Sequence, residues 1–182
     1  MAETDAQARE VVAFWKEAGP DRWFSRDDAF DAKFRERFHD LHFAAARREL
    51  DGWAVSAEGA LALLILLDQF PRNCFRGSGH MFATDSLARS VARKAVDDGF
   101  DRQVETALRS FFYLPFMHSE NLADQQHCVE LCTTLDGNTQ KFAREHRDII
   151  EKFGRFPHRN PAMGRDTTAD EQAYLDGGGF SG

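Results

Sequence analysis

Cysteine is scarce in this 182-residue chain. Its three residues, Cys74, Cys128 and Cys132, exclude the even disulfide framework that staples small secreted domains. Positive charge is not in excess either. A formal net charge of −7 excludes a nonspecific nucleic-acid binder, which needs a basic face to displace counterions from phosphates. Long apolar runs are missing: the longest, Ala60 to Leu67, falls far short of the ~20 residues that span a bilayer. The opening residues, Met1-Ala2-Glu3-Thr4-Asp5, are acidic and polar, unlike a secretory signal. No segment alternates with period two, as a half-buried strand does. The expectation is a soluble cytoplasmic protein with no membrane or nucleic-acid partner.

What the chain has instead is helical periodicity. Ala8, Val11, Trp15 and Ala18 form one stripe, stopped by Gly19-Pro20. Phe30, Phe34, Phe38, Leu41 and Ala45 form a second, with Ser25 as its expected cap. Leu61 to Leu67 is apolar all round and is expected to be the central, most buried helix. Ser56 and Thr84 stand at further cap positions. Phe142, His146, Ile149, Ile150 and Phe153 make the last long stripe, which Gly154 and Pro157 terminate. Thr168-Ala169-Asp170-Glu171 has the pattern of a capping box, and the glycine-rich tail from about 177 is expected to be flexible.

Punctuation orders these helices. Asp51-Gly52, Asp98-Gly99 and Asp136-Gly137 read as tight turns, because glycine accepts the positive φ that ends a helix. They alternate with Pro71, Pro115 and Pro157, expected to end helices. The hairpins 26–75, 84–118 and 122–157 have lengths close to helical-repeat periods. The expected fold is all-α: one domain over 1–182, of antiparallel hairpins stacked into a tetratricopeptide-like right-handed superhelix. In such a stack the proline-marked ends share one edge.

Two of those ends carry one device, Phe70-Pro71-Arg72-Asn73 and Phe156-Pro157-His158-Arg159-Asn160. Arginine offers a planar fork for carboxylate or phosphate, and asparagine both donates and accepts. The segment Lys141 to Arg165 holds seven Lys/Arg against three Asp/Glu, a basic patch in an acidic protein. Arg72, Asn73, His118, Arg155, His158, Arg159 and Asn160 are therefore expected to line a pocket for a small anion or an acidic peptide. Set against this, Arg72 and Arg159 can satisfy helix-end carbonyls or pair with Asp68, Glu120 and Glu151.

His118-Ser119-Glu120 admits a second function, a hydrolase-like acid–base enzyme with His118 and Glu120 as proton carriers. Ser119 lacks the Gly-x-Ser-x-Gly elbow of a nucleophile and reads, like Asn121, as a cap. A third function is a protein-interaction scaffold, presenting Trp23, Phe24 and Phe116. No metal or cofactor is expected. Glu36 lies off its apolar stripe beside His39, His127 off the centre of its own, and Cys128-x-x-x-Cys132 is only half a zinc site. Cys128 and Cys132 read as buried structural thiols, and His146 as a hydrogen-bonded core histidine.

The chain resembles the bacterial family known as domain of unknown function 924. The resemblance rests on Asp68-Gln69-Phe70-Pro71-Arg72-Asn73, on Leu114-Pro115-Phe116-Met117-His118-Ser119-Glu120, and on Phe153-Gly154-Arg155-Phe156-Pro157-His158-Arg159-Asn160. It continues into Gly164-Arg165 and Thr168; Pro161-Ala162-Met163 departs from the more aliphatic stretch expected there. The family looks like a relative of tetratricopeptide-type superhelices, which implies helical hairpins and brings no assigned catalytic residues.

Overall fold

A computed structural model describes residues 5–182; the acidic start, Met1-Ala2-Glu3-Thr4, lies outside the described residues. Among the described residues every regular element is helical and there is no strand, as the periodicity demanded. Contacts divide the chain into two compact units. Among the described residues the first holds 5–76 and His80–Pro115, the second Gly77–Gly79 and Phe116–Gly182.

The first unit contains α1 (Ala6–Ala18), α2 (Pro20–Trp23), α3 (Asp28–Ala46), α4 (Ala57–Leu64), α5 (Phe70–Cys74) and α6 (Asp85–Asp97). The helix α7 (Thr106–Met117) runs out of it into the second unit. Leu61 to Leu67 are all buried, which makes α4 and its extension the centre of the unit; α1 and α6 pack against α4. Around them lies an aromatic core of Trp15, Phe34, Phe38, Phe70, Phe111 and Phe112. Trp23 stacks on Trp15 at 6.4 Å and donates its Nε1–H to the Trp15 carbonyl. With Trp23 and Phe116 buried, the surface patch that a scaffold would present reduces to Phe24, 68% exposed and stacked on Phe111.

The helix through Pro71 does not stop where a proline was expected to end it. The chain widens into a π-helical turn over Ile65–Gln69, continues as α5, and closes with Phe70 N–H donating to the Ile65 carbonyl. A wider turn accommodates the ring that would otherwise clash one turn back, and Pro71 has no N–H to offer. Three consecutive carbonyls instead receive side chains. Leu66 accepts from His42 Nδ1 at 2.9 Å, Leu67 from Thr84 Oγ1 at 2.5 Å, and Asp68 from Arg72 Nη1 at 3.0 Å. Pro115 likewise sits inside α7 rather than at its end. Of these three, Pro157 follows a true stop, as Pro20 does after α1.

The Asp-Gly steps also divide. Gly99 takes the left-handed conformation, φ 71°, after α6. Asp51-Gly52 opens a 3-10 turn (Asp51–Val55), and α3 ends earlier, through Arg48 at φ 66°. Asp136 is an N-cap instead, accepting from the N–H groups of Asn138 and Thr139. Asp27, not Ser25, caps α3.

The second unit pairs α8 (Leu122–Cys132) with α9 (Gly137–Phe153) and adds α10 (Ala169–Asp176). Gly154 ends α9 in the left-handed conformation, and Thr168 and Glu171 close a reciprocal capping box on α10. Cys128 and Cys132 are buried with their sulfurs 3.8 Å apart. Phe142, expected on the buried stripe of α9, is 41% exposed.

Candidate functional site

In the first unit, Arg72 meets Asp85 through both arms of its fork, at 2.8 and 3.0 Å, and lies 3.2 Å from Asp68. Burial disfavours its charge, yet Asp68 and Asp85 outweigh that and raise its pKa. Asn73 donates to Asp31 at 2.8 Å, and Arg76 meets the other oxygen of the same carboxylate. This corner joins α5 to α3 and α6 by charge-assisted hydrogen bonds.

The second unit gathers His118, Glu120, Arg155, His158, Arg159 and Asn160, because the 3-10 turn Pro157–Arg159 folds the chain back after α9. Two carboxylates organise it. Glu171 accepts from Arg155 at 2.6 and 2.8 Å, from Asn160 at 3.1 Å and from the Thr168 N–H at 2.8 Å. The Arg155 hydrogen bonds, foremost, hold its carboxyl down at about 2. Glu120 accepts both arms of Arg165, at 2.7 and 3.0 Å, and the Phe156 N–H at 2.8 Å. Burial pushes its pKa up, but these donors and the charges of Arg165 and Arg159 prevail and keep it below the ordinary carboxylate range. A carboxylate held ionised in this way anchors a loop and exchanges no proton near neutral pH. Ser119 donates to Asp124 and Asn121 caps α8.

Arg159 is 6% exposed, lies 4.4 Å above the Phe156 ring and donates to the His118 carbonyl at 3.0 Å. Beside them His146 bonds the Phe142 carbonyl through Nδ1 at 2.8 Å. Its pKa falls to about 4, first through burial, then through the charges of His118, Arg159 and His158. Every neighbour that acts on this imidazole by charge is a cationic or imidazole group. Phe180 covers the group, 4.6 Å from the His146 ring and 5.1 Å from His158.

Two organising residues, Glu171 and Arg165, escaped the sequence reading. Glu171 was visible only as half of a capping box, and nothing in the spacing announces that the same oxygens serve Arg155 and Asn160. Among the described residues no group of three or more His, Cys, Asp and Glu side chains stands close enough to hold a metal ion, and no helix is long and apolar enough to cross a membrane.

Comparison with known proteins agrees with this geometry as far as the fold. No curated protein matches the chain. A protein of unknown function from Agrobacterium tumefaciens, ATU0120, has a structure that superposes with a TM-score of 0.94 at 57% identity, covering 96% of this chain and 99% of that one. The family described as bacterial protein of unknown function, DUF924, matches residues 11–179, which include all three motifs and both organising carboxylates. The chain belongs to the DUF924 family.

Proposed function

We propose that the protein is a binding module that takes a small anionic ligand, or the acid end of a peptide, at His118, His158 and Arg159. The observation that carries this reading is the cluster around His146: Arg159 donates to the His118 carbonyl, Phe180 bridges the His146 and His158 rings, and the charges of His118, Arg159 and His158 all oppose a proton on His146. Each proton added there meets like charge, and a bound carboxylate or phosphate relieves the repulsion. Arg155 and Asn160 hold the loop through Glu171, and Arg72 and Asn73 brace the first unit; none of these four is assigned a direct ligand contact. Stacked tetratricopeptide-like hairpins present surfaces more often than they perform chemistry, an analogy of fold that favours binding over catalysis. The cytoplasm is the compartment proposed, because three buried free thiols fit a reducing environment, with burial pushing Cys74 up to about 12.

The test is thermal unfolding of the full chain with inorganic phosphate and with small dicarboxylates, each matched in ionic strength with chloride. A ligand at ~100 times its Kd stabilises by about 2.7 kcal/mol, a shift of roughly 5–10 °C for a chain of this size. His158→Gln should remove that shift while leaving the unliganded midpoint nearly unchanged. Equal midpoints in all the salts, or an equal shift in the variant, would end the proposal.

A further inference from the structure

A concavity of the second unit lies where α9 and α10 meet the glycine-rich tail. It is a groove of about 470 Å³ lined by Glu145, Asp148, Lys152, Phe153, Tyr174 and Phe180, within the size range of small-molecule sites. The Phe153 and Tyr174 rings stand 5.1 Å apart. The tail is fitted to Tyr174: a Cβ on Gly179 would come within 2.5 Å of two ring carbons, so only glycine lies this flat against it. The Phe180 N–H then donates to Tyr174 Oη at 2.9 Å and fixes the third ring. Phe153, Tyr174 and Phe180 all rest on the small core of Ile149, Ile150 and Phe156.

The groove already holds a cation. Lys152 Nζ lies 4.9 Å from the centroid of Phe153 and 5.8 Å from that of Tyr174, both within cation–π range. Glu145 and Asp148 precede Lys152 by two turns and one turn along the same face of α9 and give the rim negative charge. Each also pairs with a base of its own helix, Lys141 at 3.6 Å and Arg147 at 2.6 Å. Aromatic faces and carboxylates together favour a positive occupant, and the net charge of −7 draws cations toward the protein. Lysine is a strongly hydrated ammonium on a flexible stem, and Lys152 is exposed, so it is a replaceable occupant.

We propose that this groove is a binding site for a small molecule bearing a substituted ammonium group, with Lys152 as the internal occupant that the ligand displaces. Substituted ammonium ions suit aromatic cages because their charge is spread over apolar methyl surface that packs on the rings. The site uses none of His118, His158 and Arg159, and shares with the anion reading only Phe180, whose ring borders both.

The test is titration of the full chain with tetramethylammonium chloride, followed by the aromatic NMR signals, beside sodium and ammonium chloride at equal ionic strength. Tetramethylammonium should shift Phe153, Tyr174 and Phe180 saturably, and the two control salts should not. Lys152→Gln should tighten binding by about two- to fivefold, the worth of one surface cation–π contact. Phe153→Leu should abolish it. Because that change can also loosen the tail, the exposed rim variant Glu145→Gln provides a check outside the core and should weaken binding about twofold or more. Equal shifts in all three salts, or a Lys152→Gln protein no tighter than the parent, overturn the proposal.

Discussion

A guanidinium paired with carboxylate recurs in this molecule, and Arg72, its side chain 13% exposed, is an enclosed example. Two acids and a backbone carbonyl converge on it, and the groups are nearly all buried. Such a group is costly to desolvate but more costly to remove, since truncation takes the opposing charge away from the buried Asp68 and Asp85. Arg72→Ala should therefore destabilise the protein by about 3–5 kcal/mol, and Arg72→Lys by less, because a point charge keeps attraction but loses the fork. Urea unfolding measures both. A loss under ~1 kcal/mol for Arg72→Ala would mean that the corner carries no structural load and that Arg72 is free for another role. From sequence, Arg72 and Arg159 were equally plausible as ligand groups or as braces. The choice depends on which acids arrive from distant helices, and no local pattern encodes the approach of Asp85 to Arg72.

At the scale of elements, local rules fared best where one residue acts on its own turn. Ser56, Thr168 and Gly154 stand where their chemistry placed them. They failed where a neighbouring element supplied the missing partner. Thr84 occupies the N-cap position of α6 but makes no cap bond there; its hydroxyl reaches the Leu67 carbonyl freed by Pro71 and the π turn. Proline was read as a helix stop because it breaks the ladder, whereas side chains from other segments repair the break and the helix continues. Thr84→Val keeps the shape and removes the donor, leaving a buried carbonyl unsatisfied. A cost of about 1–3 kcal/mol is expected, with faster hydrogen exchange across Ile65–Gln69. Unchanged exchange in that turn would show that the carbonyl finds another donor. The Asp-Gly steps teach the same lesson: Asp136 faces forward as a cap because the helix after it begins at once, and only Gly99 needs its positive φ.

For the molecule as a whole, both units carry a buried histidine that must stay neutral. His42 has no solvent exposure; the Leu66 carbonyl can only accept, so Nδ1 bears the proton, and Nε2 accepts from His80 Nε2 at 2.9 Å. Burial, foremost, brings the pKa of His42 to about 4, with His80 and His39 adding repulsion, while burial and the nearby His39 also lower His80. Arg35, whose guanidinium sits over Phe75, adds no acid to this ring cluster. His146 also falls to about 4 in the second unit. A depressed folded value means that the unfolded chain binds more protons between pH 6.5 and 4. Stability is therefore complete above that window and declines as pH falls through it, by about 2 kcal/mol per histidine at pH 5 and about 3 at its lower end. Glu120 and Glu171 act later: their lowered values stabilise above pH ~4.5 and that contribution is lost as pH falls further. The thermal midpoint should thus hold level from pH 8 to 7 and drop by roughly 10 °C between pH 7 and 5, before the contributions of Glu120 and Glu171 are lost. His146→Gln should make this drop shallower, and an anion bound at His158 and Arg159 should do the same in the parent by raising the imidazole pKa values. A midpoint constant down to pH 5 would show that both rings admit protons without penalty, and that the repulsion on which the anion site depends is absent.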